Sequence, residues 1–266
     1  MGFFDRFKKK AEPEEKPLTF SDNWDFYLCK KEDLNYFIRF DIAILELSES
    51  ERAKYPHLIE LRVPFERDDM ERLNAVEDNF RLGSYNAKFI GALTDDSEGH
   101  RYRHFAFCYS GTRDDADAIV ETLMSKSANT DFYFEVYLDD NWKYCDNILV
   151  PNQKERNWMI DNHLCRNIEQ QGEAFTKARP IDFYMYFETE KHIQSISDKL
   201  SEQGFVEAYR GKDDAEEYLL HLTLSAIPTF NYMNNITESI VDMLEDTDGY
   251  FDGWGCPVLK DGEDTP

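Results

Sequence analysis

The residues of this chain best suited to hold a metal or attack a substrate are six histidines and five cysteines, and their spacing favours neither role. His100 and His104 stand four apart in HRYRH. On a helix that spacing can share a metal, but this segment has strand composition, and Arg101 and Arg103 would repel a cation. His163 beside Cys165 lacks a second pair of ligands. Cys29, Cys108, Cys145, Cys165 and Cys256 are odd in number and widely spaced, and no CxxC occurs. That pattern implies reduced thiols in a cytoplasm, with no disulfide framework and no zinc site. EDTDGYFDG invites a calcium loop, but placing Gly249 at its sixth position puts Leu244 first and Gly255 last. Calcium needs an acid and a glutamate there. GxSxG, HExxH and a phosphate-cradling glycine loop are absent. The expectation is a chain with no metal, no cofactor and no catalytic residues. A small-molecule hydrolase or metalloenzyme stays open as an alternative that would need a deep pocket with convergent polar groups.

What remains is charge. Against 30 basic residues stand 54 acidic ones, for a formal net charge of −24. A field of that sign repels nucleic-acid phosphates and anionic lipid, and favours basic partners such as arginine-rich protein segments. Two acid groups are the candidate contacts. Asp213, Asp214, Glu216 and Glu217 sit in a turn; Asp242, Glu245, Asp246 and Asp248 close the last helix. The alternative for each is solvated surface. No stretch has the apolar length to cross a bilayer. The opening MGFFDRFKKK lacks the apolar run of a signal peptide, and Arg6 stands where a myristoylation motif needs Ser or Thr. Its Phe3, Phe4 and Phe7 beside Lys8, Lys9 and Lys10 could touch a membrane surface weakly, but a mobile tail is the simpler expectation.

The elements that must position these acids fall into two units. Residues 1–17 form a tail and a linker, AEPEEKP. The first unit spans 18–150 and the second 151–266, with Pro151 at the boundary. In the first, WDFYLCK, NYFIRFDIAILEL (35–47) and HLIELRVPF read as strands. Met70, Leu73, Val76 and Phe80 recur at helical spacing between Asp68 or Asp69 and Gly83. NAKFIGALT and RYRHFAFCY make a hairpin, Ala116, Ile119, Val120 and Leu123 mark a second helix, and DFYFEVYL is a strand followed by an extended run to Pro151. The second unit opens with a helix whose face is Ile160, Leu164 and Ile168. IDFYMYF follows as a strand. Thr189 is a candidate cap for a helix burying Ile193, Ile196 and Leu200, with Gly204 and Phe205 as a Schellman ending. FVEAY and YLLHLTLSAI are strands around a turn at Gly211 to Ala215. A last helix starts at Pro228 and Thr229 and carries Phe230, Met233, Ile236, Ile240 and Leu244, and GYFDGWGC is the final strand. From the first strand of this unit the order is β-α-β-β-α-β, the ferredoxin-like order, with an antiparallel sheet and both helices on one face. The first unit has the same order behind extra strands. The fold class expected is α+β, two tandem ferredoxin-like sandwiches.

In the final strand, Gly253 and Gly255 flank Trp254. They allow a bulge or clear space for the indole over the sheet end, where other side chains would collide with it. The residues here carry a resemblance. RPIDFYMYFET, LSEQGFVEAY and YFDGWGCPV are similar to the regulator of ribonuclease E activity B family, whose hallmark is a Tyr-Asp-Gly-Trp-Gly run. Tyr250, Asp252, Gly253, Trp254 and Gly255 match it, with Phe251 inserted or standing in for the tyrosine. The first unit resembles domain of unknown function 695 in NWDFYL, VEDNF and GALTDDSEGHRYRHFAFCY, which brings no activity. The second resemblance implies an acidic, non-enzymatic, cytoplasmic bacterial protein. It would bind the basic scaffold segment of a ribonuclease and lower its activity, with no direct contact to nucleic acid. Neutralising another basic protein, such as a nuclease toxin, is the alternative. Oligomeric state is not set by the sequence.

Overall fold

The computed structural model describes residues 23–31, 34–66, 69–82, 87–97, 100–126, 132–139, 141–213 and 215–259. They form two units divided between Pro151 and Asn152. The tail of residues 1–17, the candidate cap Asp68, Gly83 and Asp214 lie outside the described residues, as do the side chains of Phe80 and Leu123.

The first unit is a six-stranded antiparallel sheet. Its strands are β1 (Trp24–Lys31), β2 (Leu34–Asp41), β3 (His57–Pro64), β4 (Ala87–Ser97), β5 (His100–Tyr109) and β6 (Tyr133–Leu138), and its helices are α1 (Glu49–Arg52), α2 (Met70–Leu82) and α3 (Arg113–Lys126). The spatial order is β1-β2-β4-β5-β3-β6. The four strands from β4 to β6 in that order are ferredoxin-like, and the β1–β2 hairpin extends the sheet beyond β4. Leu73 and Val76 of α2 and Ala116 and Val120 of α3 bury one face against Ile59, Leu61, Phe105, Phe107 and Val136.

Two expectations fail here, and for one reason. The strand expected over 35–47 stops at Asp41, whose carboxylate accepts from the Ala43 amide at 2.9 Å and starts the short helical turn Ile42–Leu45. The run after β6, expected to be extended, instead makes a π-helical turn at Cys145–Leu149. Burial overrides the strand propensity of these aromatic and branched residues. Ile44, Trp142, Cys145 and Leu149 are all buried, together with Tyr27, Ile38, Phe40, Leu58 and Ala106, which alternate onto the sheet's second face. The Tyr27 hydroxyl donates to the Ile148 and Leu149 carbonyls at 3.2 and 3.3 Å. The Trp142 indole donates to the Arg52 carbonyl at 2.9 Å. The first sheet is therefore covered on both faces.

The second unit comprises α4 (Gln153–Gln170), β7 (Arg179–Phe187), α5 (Ile193–Ser201), β8 (Val206–Lys212), β9 (Tyr218–Ala226), α6 (Phe230–Leu244) and β10 (Gly249–Gly255). Its antiparallel sheet runs β10-β7-β9-β8, the ferredoxin-like order. Asn152 and Glu155 close a capping box at the start of α4. At the end of α5, Gly204 adopts φ +92° and the Phe205 amide donates to the Leu200 carbonyl at 3.2 Å, the ending expected from the sequence. β8 runs on to Lys212, because Gly211 and Lys212 pair with Leu219 and Tyr218, so the turn starts at Asp213 rather than Gly211. Thr189 is not a cap. His192 holds that position, and the Thr189 amide and hydroxyl donate to Asp248 at 2.8 and 2.5 Å. The buried face of α4 is shifted from the expected one. Ile168 is buried as expected, but Ile160 and Leu164 are only half-buried, while Asn157, Asp161 and Cys165 face inward.

Candidate interaction surface

Period-2 alternation divides the second sheet cleanly. Ile181, Phe183, Met185 and Phe187 of β7 and Leu220 and Leu222 of β9 are buried beneath the helices with Cys165, Ile196, Leu200, Met233 and Ile240. The alternate residues, Asp182, Tyr184 and Tyr186 of β7 and Leu219, His221 and Thr223 of β9, point to the other face. Registers extend the pattern to both edges. Tyr209 of β8 lies opposite His221, while Tyr250, Gly253 and Gly255 of β10 lie opposite Tyr186, Tyr184 and Asp182. No described Lys or Arg projects from this face; Arg210 instead reaches Glu207 and Gln194 on the helix side.

The face is built of stacked rings and a carboxylate. Tyr184 and His221 stack with centroids 4.7 Å apart and planes 20° apart. Tyr186 and Tyr250 stack at 5.6 Å and 20°. The Asp182 carboxylate lies 2.8 Å from His221 Nε2. Tyr250 remains 41% exposed and Tyr209 44%. Burial, then the charges of Glu217 and Asp252, push the Tyr250 phenol up to about 12, so it stays neutral at physiological pH.

The final strand explains its own composition. Its register shifts between Phe251 and Gly253, a bulge at Asp252, and Gly253 takes φ +142°. Trp254 then drops to the helix side, where its indole donates to Asp161 at 2.7 Å, and the Thr237 hydroxyl donates to the same carboxylate at 2.5 Å. Burial raises the Asp161 carboxyl to about 6, and these two hydrogen bonds oppose the rise. The bulge that these glycines were expected to allow is present. Beyond its chain neighbours, a Cβ at Gly253 or Gly255 would meet nothing within 4 Å. At Gly249 a Cβ would come within 2.5 Å of the Phe187 ring, so this glycine gives that ring clearance.

After β10 the chain turns toward the helix side. Arg179 and Glu173, both buried, pair at 2.6 Å. Arg179 also donates to the Pro257 carbonyl at 3.0 Å, and Glu173 accepts from the Leu259 amide at 2.7 Å. The Arg179 hydrogen bond holds the Glu173 carboxyl down at about 2.

The candidate acids are only partly brought together. The turn after Lys212 and the link after α6 share the end of the sheet where Phe187 pairs with both Tyr218 and Gly249. Asp213 is structural there, accepting from the Ala215 and Glu217 amides. Asp248 holds Thr189. Glu216 pairs with Lys212 at 3.0 Å. Asp242 and Glu245 lie apart, against Lys154 of α4. Asp246 is exposed. The residues that sequence reasoning missed are Asp182, Tyr184, Tyr186, Tyr209 and His221. The alternation in IDFYMYF was the signal for three of them.

Among the described residues, no group of three His, Cys, Asp or Glu side chains could hold a metal ion. His104 faces Glu60, with Nδ1 2.8 Å from the carboxylate. No described helix is long and apolar enough to cross a membrane.

Residues 158–256 match the family Regulator of ribonuclease activity B. The match starts within α4 and ends just past β10, so it contains the whole second sheet and all the rings described above. No curated protein matches the chain. One similar solved structure is a candidate glycine cleavage system transcriptional repressor, 9% identical, with a TM-score of 0.23; the alignment covers 76% of this chain and 98% of that one. Another is an unknown protein from Galdieria sulphuraria, 7% identical, with a TM-score of 0.21, covering 73% and 95%. At these scores neither likeness bears on function.

Proposed function

We propose that this protein is a non-enzymatic, cytoplasmic regulator that binds a ribonuclease through a basic, arginine-rich segment and modulates its activity. The observation that carries the reading is the match of residues 158–256 to a family described as regulating ribonuclease activity. The net charge of −24 supports a basic partner, because opposite fields speed encounter and reject polyanions. Asp213, Asp214, Glu216, Glu217, Asp242, Glu245, Asp246 and Asp248 supply part of that field. The first unit's resemblance to domain of unknown function 695 adds no activity and leaves it as a companion module.

Calorimetry of the full chain against an arginine-rich peptide at rising salt tests the basic-partner reading. Affinity that falls steeply with salt is expected, and its absence at every salt concentration would end the reading. Co-purification with the tagged chain then separates a ribonuclease from another basic protein, such as a nuclease toxin, by naming what is bound.

A further inference from the structure

We propose that the open face of the second sheet is a guanidinium-recognising platform on which an extended, arginine-bearing protein segment lies. The inference rests on the basic-partner reading above and names the surface that carries it.

Three observations converge. First, α4, α5 and α6 all pack on the opposite face, leaving Tyr184, Tyr209, His221 and Tyr250 to form the surface of this one. Second, the chemistry is specific to a planar cation. A ring face attracts a cation, and arginine's guanidinium also stacks on aromatic planes in a way that a lysine ammonium does not. Asp182, its side chain 35% exposed, stands beside the Tyr184–His221 stack and supplies the carboxylate for charge-assisted hydrogen bonds. The absence of described Lys and Arg from the face, together with Asp182, disfavours a phosphate backbone. That argues against the other common use of a ring-bearing sheet, stacking of nucleic-acid bases.

Third, β10 is cleared of side chains where the segment must pass. Gly253 and Gly255 flank Tyr184 and Asp182 in register. Gly253 has a conformational reason to be glycine, its φ of +142°. Gly255 has no positive φ, and beyond its chain neighbours nothing lies within 4 Å of where its Cβ would be. Neither backbone geometry nor crowding by residues beyond its chain neighbours explains Gly255. A strip kept bare beside Tyr184 and Asp182 does, because any side chain there would stand where an incoming arginine lies.

The test uses the full chain and a fluorescent (Arg-Ser)6 peptide, read by anisotropy. Gly255→Leu fills the strip beside Tyr184 and Asp182 and should lose about tenfold in affinity, with its melting temperature measured to show that it folds. Tyr184→Leu keeps apolar bulk but removes the ring, and should lose a similar factor. A (Lys-Ser)6 peptide of equal charge should bind several-fold more weakly than the arginine form. If (Arg-Ser)6 binds the native chain and both folded variants equally, the platform is wrong while the basic-partner reading stands. If no arginine peptide binds at all, the basic-partner reading fails and takes the platform with it. If a 12-nucleotide oligouridine binds more tightly than the peptide, and Tyr184→Leu abolishes that, the face is a base-stacking surface and the proposal is overturned. Should Gly255→Leu not fold, Tyr184→Leu and Asp182→Asn decide alone.

Discussion

The two sheets share a four-strand ferredoxin-like order, which the β1–β2 hairpin extends in the first, and differ in what happens after their last strand. Beyond β6 the chain folds back across the sheet, so Trp142, Cys145 and Leu149 cover the face away from α2 and α3. Beyond β10 it is drawn to the helix side by the Arg179–Glu173 pair. One face is filled by its own chain and the other is left to the outside. The contrast extends to polar residues. On the covered face, Glu60 is buried with His104, Arg62, Tyr137 and Tyr144 around it. Burial would raise the Glu60 carboxyl, but hydrogen bonds from His104 and Arg62 prevail and hold it at about 2. On the open face, Asp182 is held by His221 and remains partly exposed. The first face encloses its carboxylate with its own partners; the second leaves rings and a partly exposed carboxylate at the surface.

The comparison breaks most sharply at Arg179. Arg179→Met should leave Glu173 buried without its cation and destabilise the second unit by about 3–5 kcal/mol, read by urea denaturation. The cost should not appear in the first unit. Asp161 sharpens the picture by its pH dependence. Its carboxyl is raised in the folded state, to about 6 from an ordinary 3.8. The folded chain therefore holds a proton that the unfolded chain has lost. Stability should fall as pH rises from about 4 to 6, by roughly 3 kcal/mol at most, since each pH unit between the two values is worth about 1.36 kcal/mol. Asp161→Asn should flatten that slope in urea titrations across this range.

Glycine substitutions compare the two faces directly. At Gly91 a Cβ would meet the Arg39 carbonyl at 2.8 Å and Leu149 at 3.0 Å. Gly91→Ala should therefore disturb the cover of the first sheet and cost about 1–3 kcal/mol. Gly255→Ala meets nothing beyond its chain neighbours and should stay within about 0.5 kcal/mol of native in the same melt.

Much of this was legible in the sequence. The element order of both units followed from period and punctuation, and the Gly204–Phe205 ending was visible in SEQGF. The open face was half legible, since Ile181, Phe183, Met185 and Phe187 alternate with Asp182, Tyr184 and Tyr186. What was hidden depends on strand register and long-range pairing. His221 reaches Asp182 across 39 residues, and Trp254 reaches Asp161 across 93. Helical periodicity favoured Ile160 and Leu164 on α4 because it counts apolar residues and cannot anticipate a carboxylate buried against Thr237 and Trp254. The cover of the first sheet was missed because tertiary burial decided a stretch whose local composition is strand-like.

Hydroxyl-radical footprinting of the full chain, with and without (Arg-Ser)6, tests the open-face account most directly. Bound peptide should lower oxidation of Tyr184, Tyr209 and Tyr250, and leave Tyr133, 63% exposed in the first unit, unchanged. Protection of Tyr133 alone, or bound peptide with the three second-unit tyrosines oxidised as before, would contradict it.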